Sequence, residues 1–258
     1  MNPILRLFKS LFKKINYDLI KIRPFDLSKN FPETSEFEKE LFNICSNYSM
    51  TSHDRMFSLM KSLEYVIQNN VEGDLVECGV WKGGNLIVFQ KYVEKFNLNK
   101  KIFAYDTFEG MSQPDEIDKT FEGESASIQL DKLEKKNVDR KKNILIADCS
   151  LEEVKNNFEK NTNKNNLICI KGKVEDTLLK DENLPKKISI LRLDTDWYSS
   201  TKKELEILYP LLEKNGILLI DDYGYWQGAK KAVDEFFKDK KVTMFKIDFT
   251  GRMIINSK

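Results

Sequence analysis

Two apolar runs end in pairs of aspartates. Ile188-Ser-Ile-Leu-Arg-Leu-Asp-Thr-Asp-Trp-Tyr198 leads into Asp194 and Asp196, and Gly216-Ile-Leu-Leu-Ile-Asp-Asp-Tyr223 leads into Asp221 and Asp222. Apolar runs of this length read as buried strands. Neighbouring parallel strands would deliver all four carboxylates to one sheet edge. Carboxylates gathered in one place repel one another unless a cation neutralises them. Oxygen donors with no His or Cys nearby suit a hard divalent ion, Mg²⁺, Ca²⁺ or Mn²⁺. The competing reading is helix capping. Asp196 precedes a helical segment and could cap it, but one cap per helix leaves paired acids on both strands unexplained.

A second constellation is Asp74-Leu-Val-Glu-Cys-Gly-Val-Trp-Lys-Gly-Gly84. It joins a strand to a helix, the place where open α/β sheets bind ligands. Gly79 lets the backbone turn beneath a ligand, and Gly83 and Gly84 permit close approach of the helix. The spacing is ExGxxxGG, without the GxGxxG fingerprint of a dinucleotide pyrophosphate loop. Glu77 repels phosphate and suits a cation. S-adenosylmethionine, with its ammonium and sulfonium, fits acidic surroundings. The next strand ends at Ala104-Tyr-Asp106, and a carboxylate there can accept hydrogen bonds from ribose hydroxyls.

The elements that must hold these groups follow from periodicity. From Gly73 onward, strands are expected at 74–78, 102–106, 167–171, 188–194, 216–221, 242–248 and 252–256. Helices alternate with them near 84–96, 150–160, 174–180, 199–213 and 227–239. This alternation predicts an α/β fold: a mostly parallel sheet with helices on both faces. Phe249-Thr-Gly251 suits a hairpin that adds an antiparallel C-terminal strand. Residues 107–149 exceed an ordinary loop and read as a lid insertion with some helix. Upstream, a helix is expected near Glu36–Cys45 after a Pro-marked connector at 24–34. Another runs from a Thr51 or Ser52 cap to about Asn70. The domain organisation read here is an N-terminal helical extension, 1–48, and a catalytic domain, 49–258.

Residues 3–20 read as a basic amphipathic helix, with Ile4, Leu5, Phe8, Leu11, Phe12, Ile15 and Leu19 at helical spacing and Arg6, Lys9, Lys13 and Lys14 between them. Packing on the protein itself or on a second subunit is the ordinary use of such a helix; contact with a membrane surface is the functional alternative. Composition excludes more. Lys plus Arg number 42 against 41 Asp plus Glu, so a net charge of +1 gives no global case for nucleic-acid binding. The 4 Cys lack a CxxC, which argues against a structural zinc site or a disulfide framework, and His53 is the 1 histidine, which rules out multi-histidine metal sites. His53, near a helix start, reads as a surface or capping residue, and Cys78 and Cys169 as packing residues. With no apolar run long enough to span a bilayer and no signal-peptide pattern, the expectation is a cytoplasmic protein, drawn as a homo-oligomer.

These stretches, with Met50-Thr-Ser, Asp106-Thr-Phe-Glu-Gly110, Ser150-Leu-Glu-Glu-Val154, Gly172-Lys-Val-Glu-Asp-Thr177 and Gly228-Ala-Lys-Lys-Ala-Val-Asp234, resemble the macrocin O-methyltransferase family over Met50 to about Asp239. The resemblance implies a class I methyltransferase Rossmann-like fold, S-adenosylmethionine and a divalent ion, usually Mg²⁺. By position it makes Asp194, Asp221 and Asp222 metal ligands and Asp196 the general base toward a sugar hydroxyl. Glu77, Gly79, Asp106, Thr107, Phe108 and Asp194 would hold the cofactor's amino-acid part and ribose. Gly172, Lys173 and Val174 would lie beside the adenine, and Met50 and Thr51 would close over the cofactor. The lid matches the family least, so the acceptor does not transfer. A nucleotide-activated or surface-polysaccharide sugar is the expectation. The alternatives are a natural-product sugar, a catechol-like diol, a binding protein that has lost its chemistry, and an NAD-linked enzyme, which the glycine spacing disfavours.

Overall fold

The computed structural model describes residues 3–18, 26–135 and 145–257. The expected helix end at 19–20, connector residues 24–25 and lid residues 136–144 lie outside the described residues. The chain divides into two compact units, Met1–Lys39 and Glu40–Lys258.

The first unit contains α1 (Pro3–Lys14) and α2 (Leu27–Asn30) and leads into α3 (Glu36–Cys45). Helix α1 stops short of the expected residue 20, at a turn where Asn16 takes a positive φ of 60°. Local chemistry sets the other starts. The Asp26 side chain accepts from the Lys29 amide and caps α2. Ser35 and Glu38 form a capping box: the Ser35 amide donates to Glu38 Oε2 at 2.7 Å, and the Glu38 amide to Ser35 Oγ at 3.3 Å.

In the second unit, α4 (His53–Gln68) starts at Ser52, whose hydroxyl accepts from the Arg55 amide. The order then runs β1 (Asp74–Cys78), α5 (Gly84–Lys95), β2 (Ile102–Asp106), α6 (Ala126–Lys135), α7 (Leu151–Asn161), β3 (Leu167–Lys171), α8 (Val174–Thr177), β4 (Ile188–Leu193), α9 (Tyr198–Ile207), β5 (Leu212–Ile220), α10 (Gln227–Phe237), β6 (Met244–Lys246) and β7 (Arg252–Ile255). The sheet order is β3-β2-β1-β4-β5-β7-β6. Strands β1 to β5 run parallel, and β7 pairs antiparallel with both β5 and β6. The mostly parallel α/β class, the antiparallel end and the hairpin at Phe249-Thr-Gly251 are as the sequence led one to expect. The order reverses between β1 and β4, which creates the crevice where such sheets bind ligands.

Strand alternation sorts the side chains. Leu191 and Leu193 join Val76, Leu218, Leu205, Val233 and Phe237 in the cluster beneath α9 and α10. Arg192, between them, points to the other face, where α4 packs on β4 and β5. Several boundaries depart from the sequence reading: α8 ends at Thr177 instead of 180, and β6 spans Met244–Lys246 instead of 242–248. Helix α9 ends at Ile207 instead of 213, because Pro210 lacks an amide donor and the chain passes through a 3₁₀ turn, Tyr209–Leu211. Strand β5 correspondingly begins at Leu212, and its irregular start is tied down by Asn256, whose side-chain amide donates to the carbonyls of Leu212 and Glu213. The lid contains α6 but, among the described residues, no strand beyond isolated bridges of Lys119 with Ser125 and Thr120 with Trp226.

Gly79 brings the two central strand ends together. Its φ is +78°, and a Cβ built there would stand 1.9 Å from the Asp194 carbonyl oxygen. Gly79→Ala should therefore lower stability by about 3 kcal/mol through steric clash and left-handed strain, read as a shift in the denaturant midpoint; an unchanged midpoint would show that the two strand ends can separate freely.

Candidate active site

The crevice at β1 and β4 opens into a cleft of about 400 Å³ whose lining includes Gly79, Asp106, Thr107, Gly172, Lys173 and Val174. Asp194 also lines it, and an adjoining hollow adds Met50, Trp81 and Asp196. Most residues singled out in the sequence thus meet in one place. Asp106 organises the β1 loop: its Oδ2 accepts from the Val80 amide at 2.7 Å and its Oδ1 from the Phe108 amide at 2.7 Å. Longer contacts come from the Trp81 amide at 3.3 Å and the Thr107 hydroxyl at 3.4 Å. Phe108 contributes through this amide; its ring is buried. Burial pushes the Asp106 carboxyl up, against the amides that favour its charged form.

Glu77 lies beneath the cleft, 1% exposed. Its Oε1 accepts from Arg192 at 2.6 Å and from the Asn85 amide at 2.9 Å, while its Oε2 is buried without a partner. Burial pushes its pKa up to about 7 despite the guanidinium beside it. Thr51 joins the same network: its hydroxyl oxygen accepts from Arg192 at 3.0 Å and from Asn85 at 3.3 Å.

The four aspartates do converge. One carboxylate oxygen from each of Asp194, Asp221 and Asp222 lies within 4.8 Å of the others. Arg192 donates to Asp194 at 2.7 Å and ion-pairs with Asp221, which also pairs with Arg55. Arg55 is held in turn by Asp248 at 3.0 Å. The cation that the sequence reading demanded is therefore supplied in part by two arginines which that reading passed over. A signal was present: Arg192 is a lone charge inside an otherwise apolar strand, and a buried charge requires partners. Arg55 carried no comparable mark.

The arginines leave negative charge uncompensated. Asp222 is pushed well above the usual carboxylate range, first by burial and then by the charges of Asp196 and Asp194, with Arg55 opposing. Burial raises Asp196 to about 6; hydrogen bonding to Asp222 and to the Trp226 indole opposes this, and the charges of Asp194 and Asp118 add to it. Asp196 sits in a left-handed turn, φ 65°, with its amide 3.3 Å from Asp222 Oδ2. It does not cap α9. That helix instead has Asp118 from the lid accepting from the Tyr198 amide at 2.8 Å, a role the sequence gave no means of assigning. The lid is fixed further by the Trp197 indole, which donates to the Ser112 carbonyl at 3.0 Å, and by the Gln227 amide, which donates to Lys119 at 2.8 Å. Trp197 and Trp226 pack edge-on with centroids 4.9 Å apart. His53 stands apart from the cleft lining and stacks on Phe42 at 5.8 Å. Cys78 and Cys169 are free thiols whose pKa burial raises, as expected of packing residues.

The donor set suits both expected groups. Oxygens around one hard cation at about 2.0–2.6 Å lie within about 5 Å of each other, as these three do. The unpartnered Glu77 oxygen offers an acceptor for an ammonium group.

Residues 44–254 match the family model described as Macrocin-O-methyltransferase (TylF). The chain belongs to the macrocin O-methyltransferase family. It is 31% identical over 192 residues to demethyldecarbamoylnovobiocin O-methyltransferase of Streptomyces niveus, covering 73% of this chain and 67% of that protein. It is 30% identical over 192 residues, with the same coverage, to the 8-demethyl-8-(2,3-dimethoxy-alpha-L-rhamnosyl)-tetracenomycin-C 4'-O-methyltransferase of Streptomyces olivaceus. Among solved structures it is similar to the O-methyltransferase NovP, with a TM-score of 0.69, 27% identity and coverage of 82% of this chain and 83% of that one. The fold is that of class I methyltransferases, and as a family member the chain is an S-adenosylmethionine-dependent O-methyltransferase.

Below the site, Glu204 is fully buried and accepts from the Thr195 hydroxyl at 2.9 Å. Burial raises its pKa from 4.5 to about 8. Between these values the folded protein keeps a proton that the unfolded chain releases, so this group's contribution to stability falls as pH rises through the window. Relative to Glu204→Gln, the wild type should lose up to about 1.4 kcal/mol per pH unit between about pH 5 and 8, measured by denaturant unfolding; a constant difference would mean that Glu204 is ionised when folded.

Proposed function

We propose that this protein is a divalent-metal-dependent O-methyltransferase that methylates a sugar hydroxyl. The observation that carries the reading is the convergence of Asp194, Asp221 and Asp222 at one end of the cleft that Gly79, Asp106 and Gly172 line. The relatives named above support the sugar: one is named for a rhamnosyl 4'-O position. A nucleotide-activated or surface-polysaccharide sugar has no counterpart in those names, and the acceptor we assign is a sugar hydroxyl, with a natural-product glycoside the better supported class.

In this reading Glu77, through its free oxygen, and Gly79 receive the amino-acid part of the methyl donor. Asp106 and Thr107, with the Phe108 amide setting the loop, face its ribose. Gly172, Lys173 and Val174 flank its adenine, and Met50 and Thr51 cover it. Asp194, Asp221 and Asp222 would hold Mg²⁺ or a similar ion. When bound, S-adenosylmethionine supplies an electrophilic methyl group and the ion supplies Lewis acidity that favours an alkoxide. The protein's own residues do the remainder. Asp196 takes the hydroxyl proton at its carboxylate, and a pKa near 6 suits a base working close to neutrality. The Trp226 indole orients that carboxylate. Arg192 fixes Glu77 and Asp194 relative to each other, which sets donor and acceptor in line. The exposed ring of Phe121 packs on Tyr225 at 5.8 Å and on Phe249 at 4.9 Å, and Tyr225 in turn meets Trp226 at 4.9 Å; in this reading that cluster faces the acceptor.

Asp196→Asn should reduce turnover by about 10²–10⁴-fold while donor affinity in calorimetry changes little. Full turnover in that variant would remove Asp196 from the base role. Methyl transfer to a rhamnosyl glycoside, assayed with and without a chelator, tests the ion: activity should vanish with chelator and return with Mg²⁺, and chelator-resistant activity would leave the acids to the arginines alone.

A further inference from the structure

Helix α1 takes no part in the reaction described above, yet its composition is not that of an ordinary solvent-exposed helix. Phe8, Leu11 and Phe12 are 49%, 50% and 37% exposed, and Ile15 and Tyr17 just beyond them are 62% and 66% exposed. At about 100° per residue, the first three fall on one side of the helix. Arg6, Lys9, Lys13 and Lys14 fall on the other side and at both margins of the apolar stripe. The helix contains no acidic residue; the first is Asp18, 3.8 Å from Lys9.

We propose that α1 is a surface anchor for an anionic lipid bilayer, with Phe8, Leu11 and Phe12 in the headgroup–acyl boundary and the four basic side chains among the lipid phosphates. Charge complementarity selects this occupant. Residues 3–23 contain six of the chain's 42 basic residues and one of its 41 acidic ones. The remainder of the chain carries 36 basic against 40 acidic residues, so the sequence's excess of positive charge belongs to the N-terminal segment that contains α1. Basic residues flanking an apolar stripe are the pattern of helices that lie in a membrane interface. Pairing with a second copy through the same stripe would set lysines of both margins against lysines. The 12 residues of α1 rise about 18 Å, short of the roughly 30 Å of a hydrocarbon core, and no helix among the described residues can cross a membrane. The anchor lies on the surface.

Co-sedimentation of the full chain with vesicles tests this independently of any acceptor. With vesicles of phosphatidylcholine containing about one third phosphatidylglycerol, at about 0.1 M salt, most of the protein should sediment; with phosphatidylcholine alone, little should. Raising salt to about 0.5 M should cut the bound fraction at least about threefold, because it shortens the screening length. The triple variant Lys9→Glu, Lys13→Glu, Lys14→Glu and the double variant Phe8→Ser, Phe12→Ser should each weaken partitioning at least about tenfold, with thermal midpoints unchanged. Three results would overturn the proposal: no sedimentation of the wild type with anionic vesicles, binding that survives both variants, or a wild-type dimer in light scattering that the Phe8→Ser, Phe12→Ser variant turns into a monomer without any vesicle binding.

Discussion

One buried guanidinium holds the site together. Arg192 is 3% exposed and bonds to Glu77 on β1, to Asp194 at the end of its own strand, to Asp221 after β5 and to Thr51 before α4. Its positive charge offsets the mutual repulsion of the three carboxylates it gathers. Breaking one partner out of such a cluster leaves an uncompensated buried charge, at a cost of about 3–5 kcal/mol. The arrangement ties three strand ends to one side chain through directional hydrogen bonds.

The same cluster explains why the site remains acidic enough for a hard ion. Glu77, Asp194, Asp196, Asp221, Asp222 and Asp248 surround Arg192 and Arg55, six carboxyls against two guanidiniums. The arginines let the acids assemble during folding, and the shortfall in positive charge leaves Asp196 and Asp222 with raised affinity for protons. A divalent ion would meet the same shortfall. Under the proposed metal dependence, structural and chemical demands would be divided between two kinds of cation, one built into the chain and one recruited from solution.

The lid adds a second constraint. Asp118, which is buried, caps α9, and a Cβ on Gly228 would meet its Oδ1. Trp197 and Trp226 lie in the lid cluster with Ala126, Leu130 and Ala229. The lid thereby sets the entry to α9 and α10, and with it the turns that present Asp196 and follow Asp222. A segment with little family resemblance in its sequence is coupled to the most characteristic turns of the fold.

Periodicity made the strands legible because a parallel sheet covered on both faces forces continuous apolar runs, and the runs of β1, β2, β4 and β5 end at or next to residues proposed for the site. Glu77, Gly79, Asp106 and the four aspartates could be singled out because acids and glycines are unusual immediately after apolar strands. Arg55, Asp118 and the left-handed turn at Asp196 could not, since each depends on a partner far away in the chain: Arg55 on Asp221 and Asp248, Asp118 on Tyr198, Asp196 on Asp222. Sequence alone determined the fold class, the strand ends and the acidic character of the site, all of which rest on local patterns. Tertiary structure decided which cation neutralises which acid, because burial and distance set that energy, and neither is a property of any single segment.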